Sequence, residues 1–192
     1  MAINMRARSL LLVLGLFALG AIGCEGHKTG YRHVETRENL GSLVDLIVKT
    51  SEAGDAKKAG AMVRALIPDE PALKKAFKDN VSPAKLAAIL DQIKQVPSDD
   101  AALILRRSRP TQTEIQVHGA TPEEIATGST VASGHFSGGA KGIANDLRPD
   151  LRFYEVAFVE PGADSGMRYH LFFWDGARWR MLGPVWLWLE GI

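Results

Sequence analysis

At Pro110 the spacing of apolar residues changes from a period near 3.6 to a period of 2, and this change most constrains the fold. Before it, apolar residues recur as helical stripes: Leu40, Leu43, Val44, Ile47 and Val48, then Ala59, Met62, Val63 and Leu66, then Leu86, Ile89, Leu90 and Ile93. After it, Thr113, Ile115 and Val117 alternate with Gln112, Glu114, Gln116 and His118, the pattern of a half-buried strand. Helices followed by strands, rather than alternating with them, imply an α+β fold and an antiparallel sheet. The expectation is about five helices over residues 36–107 packed on a curved antiparallel sheet over about 111–189.

Local signals divide the helical part. The first helix starts near Thr36 and ends at Gly54, and Asp55 caps the second, which Pro68 stops. Asp69 and Pro71 open a short third helix that buries Leu73 and Phe77. Ser82-Pro83 places a strong N-cap before proline at the first helical position of the fourth, which Pro97 ends. Residues 98–107 read as a fifth helical piece with Leu103 and Ile104 inward, a strand being the alternative.

In the second half, Thr121-Pro122-Glu123-Glu124 is a capping box, so one helical turn interrupts the sheet. Residues 130–136 read as a second strand. The glycines of residues 137–142 do not have phosphate-loop spacing and read as a turn with a helix start. Residues 151–159, 167–174 and 178–182 read as strands. Asp175-Gly176 is the best hairpin signal in the chain, because that pair suits the positive φ of a tight turn. Residues 185–189, apolar on both faces, read as a covered final strand, with a docking surface as the alternative.

Residues 10–22 are an uninterrupted run of small and apolar side chains after Arg6 and Arg8. Thirteen residues are too few for a membrane span, which needs about 20; a basic start and a short apolar run are the parts of a secretory signal. The run ends Ala21-Ile22-Gly23-Cys24, and Cys24 is the only cysteine, so no intramolecular disulfide can form. This stretch resembles the bacterial lipoprotein signal. The resemblance implies cleavage before Cys24, lipid on its sulfur (acyl chains such as palmitate), and attachment to the cell envelope. Glu25 in place of aspartate leans the expectation towards the outer membrane, facing the periplasm. Met5 is an alternative start. Residues 24–35 then form a lipidated tether, whose His27 and His33 read as solvated, and residues 36–192 form one domain. As a flexible coil the tether reaches roughly 18 Å.

Removing residues 1–23 takes away Arg6 and Arg8 but none of the 22 acidic residues, turning the net charge from +1 to −1. There is no basic surplus to steer nucleic acid. No serine-nucleophile motif and no zinc-ligand spacing occurs. The expectation is therefore no nucleic-acid partner, no cofactor and no metal.

Asp175, Gly176, Trp179 and Arg180, following Phe172-Phe173-Trp174, together with the helical opening over residues 43–66, resemble the nuclear-transport-factor-like α+β cone. That resemblance implies a cone-like sheet with a pocket between sheet and helices, where an acid–histidine pair can exchange protons. The candidate pocket residues are Tyr154, His170, Trp174 and Trp179. Glu155 and His170, on neighbouring strands, are a possible cross-strand pair whose carboxylate would favour a charged imidazole. A metal site of His118, His135 and His170 would need three strands to converge, which nothing in the spacing requires. The leading expectation is a non-catalytic binding or scaffolding domain held at the envelope, with a possible protein partner on the 185–189 end or the Lys-rich helices. A small-molecule pocket comes second, and a hydrolase- or isomerase-like enzyme using Glu155 and His170 third.

Overall fold

The computed structural model describes residues 35–189. The signal segment, Cys24 and the tether with His27 and His33 lie outside the described residues. Within them the fold is α+β, with most of the helices first and a four-stranded antiparallel sheet after them that does not close into a barrel.

Four helices lead: α1 (Arg37–Glu52), α2 (Ala56–Leu66), α3 (Glu70–Ala76) and α4 (Pro83–Lys94). Each begins where a short polar side chain accepts a hydrogen bond from an otherwise unpaired backbone N–H: Thr36 from Asn39, Asp55 from Lys58, Asp69 from Ala72 and Ser82 from Ala84. Gly54 follows α1 with φ +89°. Strands β1 (Glu114–Ala120), β2 (Phe153–Val159), β3 (Gly166–Trp174) and β4 (Trp179–Met181) pair in sequence order as an antiparallel meander. Between β1 and β2 lie α5 (Pro122–Thr127), α6 (Val131–Gly134) and α7 (Gly138–Ile143). The capping box of α5 forms as its sequence directs, and the glycines of residues 137–142 start α7.

All seven residues of β2 are buried, which requires cover on both faces of the sheet. Tyr154, Val156 and Phe158 pack with the α1 and α2 stripes, Phe172 and Trp179. Phe153, Leu171 and Phe173 face the other way, into a second core with Leu73 and Phe77 of the α3 segment, Ile89 of α4, Ile125 of α5 and Ile143 of α7. Burying each such side chain contributes about 1.5–3 kcal/mol relative to exposure. The single-period stripes of α1 and α2 thus pack on one side, and the short helices inserted between β1 and β2 close the other.

Three local expectations are corrected. Residues 130–136 form no strand. Thr130 and Ser133 hydrogen-bond reciprocally in a capping box, which starts α6 and leaves Val131 87% exposed. Residues 185–189 form no strand either, but a 3₁₀ turn, Val185–Trp188. Gly183 at φ +72° turns the chain off β4, and Pro184 has no N–H with which to extend a ladder. Only Val185 is fully enclosed; Trp186, Trp188 and Leu189 are partly buried on the second core, and Leu187 is exposed. In residues 98–107 the helix is limited to a 3₁₀ turn, Asp100–Ala102. The chain then runs extended, so Leu105 is buried and Ile104 points outward.

Candidate functional site

The one expected chemical pair that forms is Glu155 with His170. In β1 and β2, His118 is directly opposite Glu155. On the other side the ladder slips: Tyr154 pairs with Phe172 but Val156 pairs with Tyr169, so His170 and Leu171 together oppose Glu155. Leu171 absorbs this bulge with φ +54°, a left-handed conformation that a branched, fully buried side chain rarely adopts. The slip lets His170 and Leu171 both serve the face that carries Glu155, and His118, Glu155 and His170 form a row across three strands.

The row is built of unequal parts. The Glu155 side chain is 1% exposed and that of His170 20%, and Oε2 lies 2.7 Å from Nδ1. An ionised carboxylate can only accept, so the neutral ring carries its proton on Nδ1 and keeps Nε2 as an acceptor. Glu155 Oε1 is buried without a hydrogen-bond partner. Burial pushes the Glu155 carboxyl above its ordinary range, against the opposing pull of His170 and Arg168. Trp186 meets the His170 ring edge-on, with centroids 5.1 Å apart. That indole lies against α7 so closely that a Cβ on Gly139 would fall 2.2 Å from its Nε1.

At the β1 end of the row, the His118 ring stacks on His135, with centroids 3.5 Å apart and planes 7° from parallel. His135 caps α6, and its carbonyl accepts from Arg168 Nη1 of β3 at 3.0 Å. His118 Nε2 is buried without a partner. Burial first, then the neighbouring His135, Arg168 and Arg37, push the His118 imidazole down to about 4.

The expected pocket of Tyr154, His170, Trp174 and Trp179 does not assemble. Tyr154, Trp174 and Trp179 belong to the α1/α2 face, where Trp179 meets Tyr154 edge-on at 5.2 Å and Trp174 at 5.5 Å. Tyr154 and Trp179 are packed core with Trp174 partly buried against them, and burial raises the Tyr154 hydroxyl to about 12. His170 lies on the opposite face, because strand alternation and the bulge separate it from them. Of the four, only Trp174 lines the open hollow of about 440 Å³ at the β3–β4 turn, beside Lys74, Lys75 and Arg148.

The three sheet histidines of the sequence reading divide into the His118–His135 stack and the Glu155–His170 pair. Among the described residues no group of three or more His, Cys, Asp or Glu is placed to hold a metal ion. Sequence reasoning missed the stack and the Leu171 bulge. Alternation put His118 on the strand, but nothing in residues 130–136 announced that a helical turn would bring His135 onto it. The row can orient an imidazole and hold a shared proton, with one acceptor nitrogen on the less buried partner. No family model matches the chain, and no curated protein or solved structure matches it.

Proposed function

We propose that the chain is a lipoprotein of the bacterial cell envelope, attached to the membrane through acyl chains on Cys24, whose α+β domain acts as a non-catalytic binding or scaffolding module facing the periplasm. The observation that carries this reading is the 13-residue apolar run over residues 10–22, followed by Gly23 and by Cys24, the only thiol of the chain. Two or more acyl chains suffice for stable attachment, each buried methylene contributing about 0.8 kcal/mol. No helix among the described residues is long and apolar enough to cross a membrane. The test is the mass and fractionation of the protein from its own membranes. Acyl mass on Cys24 and release by Cys24→Ser are expected; an unmodified Cys24 overturns the anchor. A protein that co-purifies in mild detergent supports the scaffold.

The Glu155–His170 geometry favours a second reading, in which His170 is a general base oriented by a buried carboxylate in a hydrolase- or isomerase-like reaction. The Nε2 nucleophilicity this requires is read with diethyl pyrocarbonate. His170 is expected to be the most reactive histidine of the folded domain, and Glu155→Gln to slow it. Reaction no faster than that of the stacked His118 removes this reading.

A further inference from the structure

The His118–His135 stack is the least expected contact in the molecule, and its position gives it leverage. His118 is rooted in β1. His135 ends α6, a helix of only four residues whose Val131 contributes nothing to the core. From the far side, Arg168 of β3 holds the His135 carbonyl. The α6 end therefore bridges from β1 to β3 across β2, over the face that carries Glu155 and His170. It is attached through the ring stack, the Arg168 hydrogen bond, Ser133, which is fully buried, and Phe136, which is buried in the second core.

We propose that α6 and its stacked histidines are an acid-sensitive latch: protonation of His118 separates the rings and lifts residues 131–136 from the sheet, opening the layer above Glu155 and His170. The groups that face His118 define its response. His135 stacks from α6, Arg168 approaches from β3, Arg37 from α1, Asp164 from the β2–β3 loop, and Glu155 lies directly opposite in β2. Two of these, Arg168 and Arg37, are cations that oppose a charge on His118; Asp164 favours one, but its pull is weaker than theirs. Nε2 adds to this, because a proton there would sit buried with no acceptor. Lifting α6 exposes the imidazole to water, where it titrates in the ordinary histidine range near 6.5. Protons therefore bind the open form more readily than the closed one. Each pH unit below that range raises the open fraction by at most about tenfold. The latch is independent of the Cys24 anchor and of whether His170 acts as a base.

Amide hydrogen exchange of the full-length protein in mild detergent tests it, with protection corrected for the intrinsic effect of pH. Between pH 7 and pH 5, protection of residues 131–136 is expected to fall several-fold and to stay well below that of residues 40–48 in α1, which report global unfolding. His118→Phe keeps a ring to stack but cannot charge, and His118→Gln keeps polarity without charge. Whichever of the two folds must show a flat profile over residues 131–136. Constant protection in the parent protein overturns the proposal. So does an equal fall in the variants, or protection of residues 131–136 no lower than that of residues 40–48 at either pH, which is global acid unfolding.

Discussion

His170 Nδ1 and Glu155 Oε2 lie 2.7 Å apart, yet one side chain is 20% exposed and the other 1%. The asymmetry divides their roles. The enclosed carboxylate bears the desolvation cost and fixes the ring orientation, and the ring is the member that can exchange protons with its surroundings. The pair is held by the backbone: without the slip between Tyr154 and Val156, His170 would not share a face with Glu155.

Burial holds the Glu155 carboxyl above its ordinary range, so the folded state takes up its proton more readily than the unfolded chain. Its contribution to stability is complete below the unfolded value near 4.5 and is lost as pH rises through the folded one. Glu155→Gln removes that contribution and leaves an amide oxygen to accept from Nδ1. Urea denaturation at pH 7 and pH 4.5 should show the variant losing ground to the parent as pH falls. A constant difference would mean that Glu155 titrates alike in both states.

His118 has the opposite sign. Its folded value is depressed to about 4 against about 6.5 unfolded, so its contribution is present above 6.5 and lost as pH falls towards 4. The parent protein should weaken through this window, and His118→Phe should flatten that part of the curve. If the two curves run parallel, the loss comes from elsewhere in the molecule.

Leu171 is fully buried at φ +54°, and the usual ranking of substitutions should invert there. Leu171→Ala deletes buried apolar volume and keeps the strain, at a cost of about 2–5 kcal/mol. In an ordinary strand glycine would be worse than alanine. Here glycine adopts the left-handed conformation without a Cβ clash, so Leu171→Gly is expected to equal or exceed Leu171→Ala in stability. Thermal unfolding of the two side by side decides it, and a clearly less stable glycine variant would show that the bulge stores no strain.

Which parts were legible in the sequence follows from how local each cause is. Thr36, Asp55, Asp69 and Ser82 announce their helices because a cap acts within three residues. Asp175-Gly176 announces its hairpin for the same reason, with Gly176 at φ +97°. Glu155 and His170 could be paired from strand adjacency alone. Residues 130–136 and 185–189 misled because an apolar segment carries no period when it is spent on one short turn. Ile104 misled because Leu103-Ile104-Leu105 suits a helix or an extended segment equally, and the extended form is held from β3, where the Tyr169 hydroxyl accepts from the Arg106 N–H and donates to the Arg106 carbonyl. The separation of Tyr154, Trp174 and Trp179 from His170 depends on a one-residue slip, and a slip reverses which face each later side chain takes.

Arg180 is 4% exposed in the middle of β4 and is the centre of a polar network. It donates to Asp175 Oδ2 at 2.7 Å, to Asp69 Oδ2 at 2.9 Å and to the Ile67 carbonyl at 2.8 Å. Burial pushes the Asp175 carboxyl up, but the Arg180 hydrogen bond and the N–H groups of Arg178 and Ala177 outweigh it and hold it below the ordinary range. Arg180→Met leaves Asp175 buried without its partner and should cost about 3–5 kcal/mol. Arg180→Lys should recover little of this, because one ammonium cannot reproduce a fork that reaches three acceptors. Full recovery by lysine in urea denaturation would show that charge alone matters there.

Gly60 lies in the middle of α2, where helix propensity favours alanine by about 1 kcal/mol. The structure predicts the opposite outcome. A Cβ on Gly60 would fall 1.6 Å from the Asp100 backbone oxygen. That carbonyl cannot retreat freely, because Arg64 grips the same turn through the Asp100 carboxylate and through the carbonyls of Pro97 at 2.7 Å and Ser98 at 2.9 Å. Gly60→Ala must force α2 from the Asp100–Ala102 turn and is expected to cost about 1–3 kcal/mol or more. Gly142 in α7 is the control: nothing lies within 4 Å of its added Cβ, and Gly142→Ala should stabilise by about 0.5–1 kcal/mol. Thermal unfolding of both variants should therefore move in opposite directions, and a stabilised Gly60→Ala would disprove the close packing of α2 on that turn.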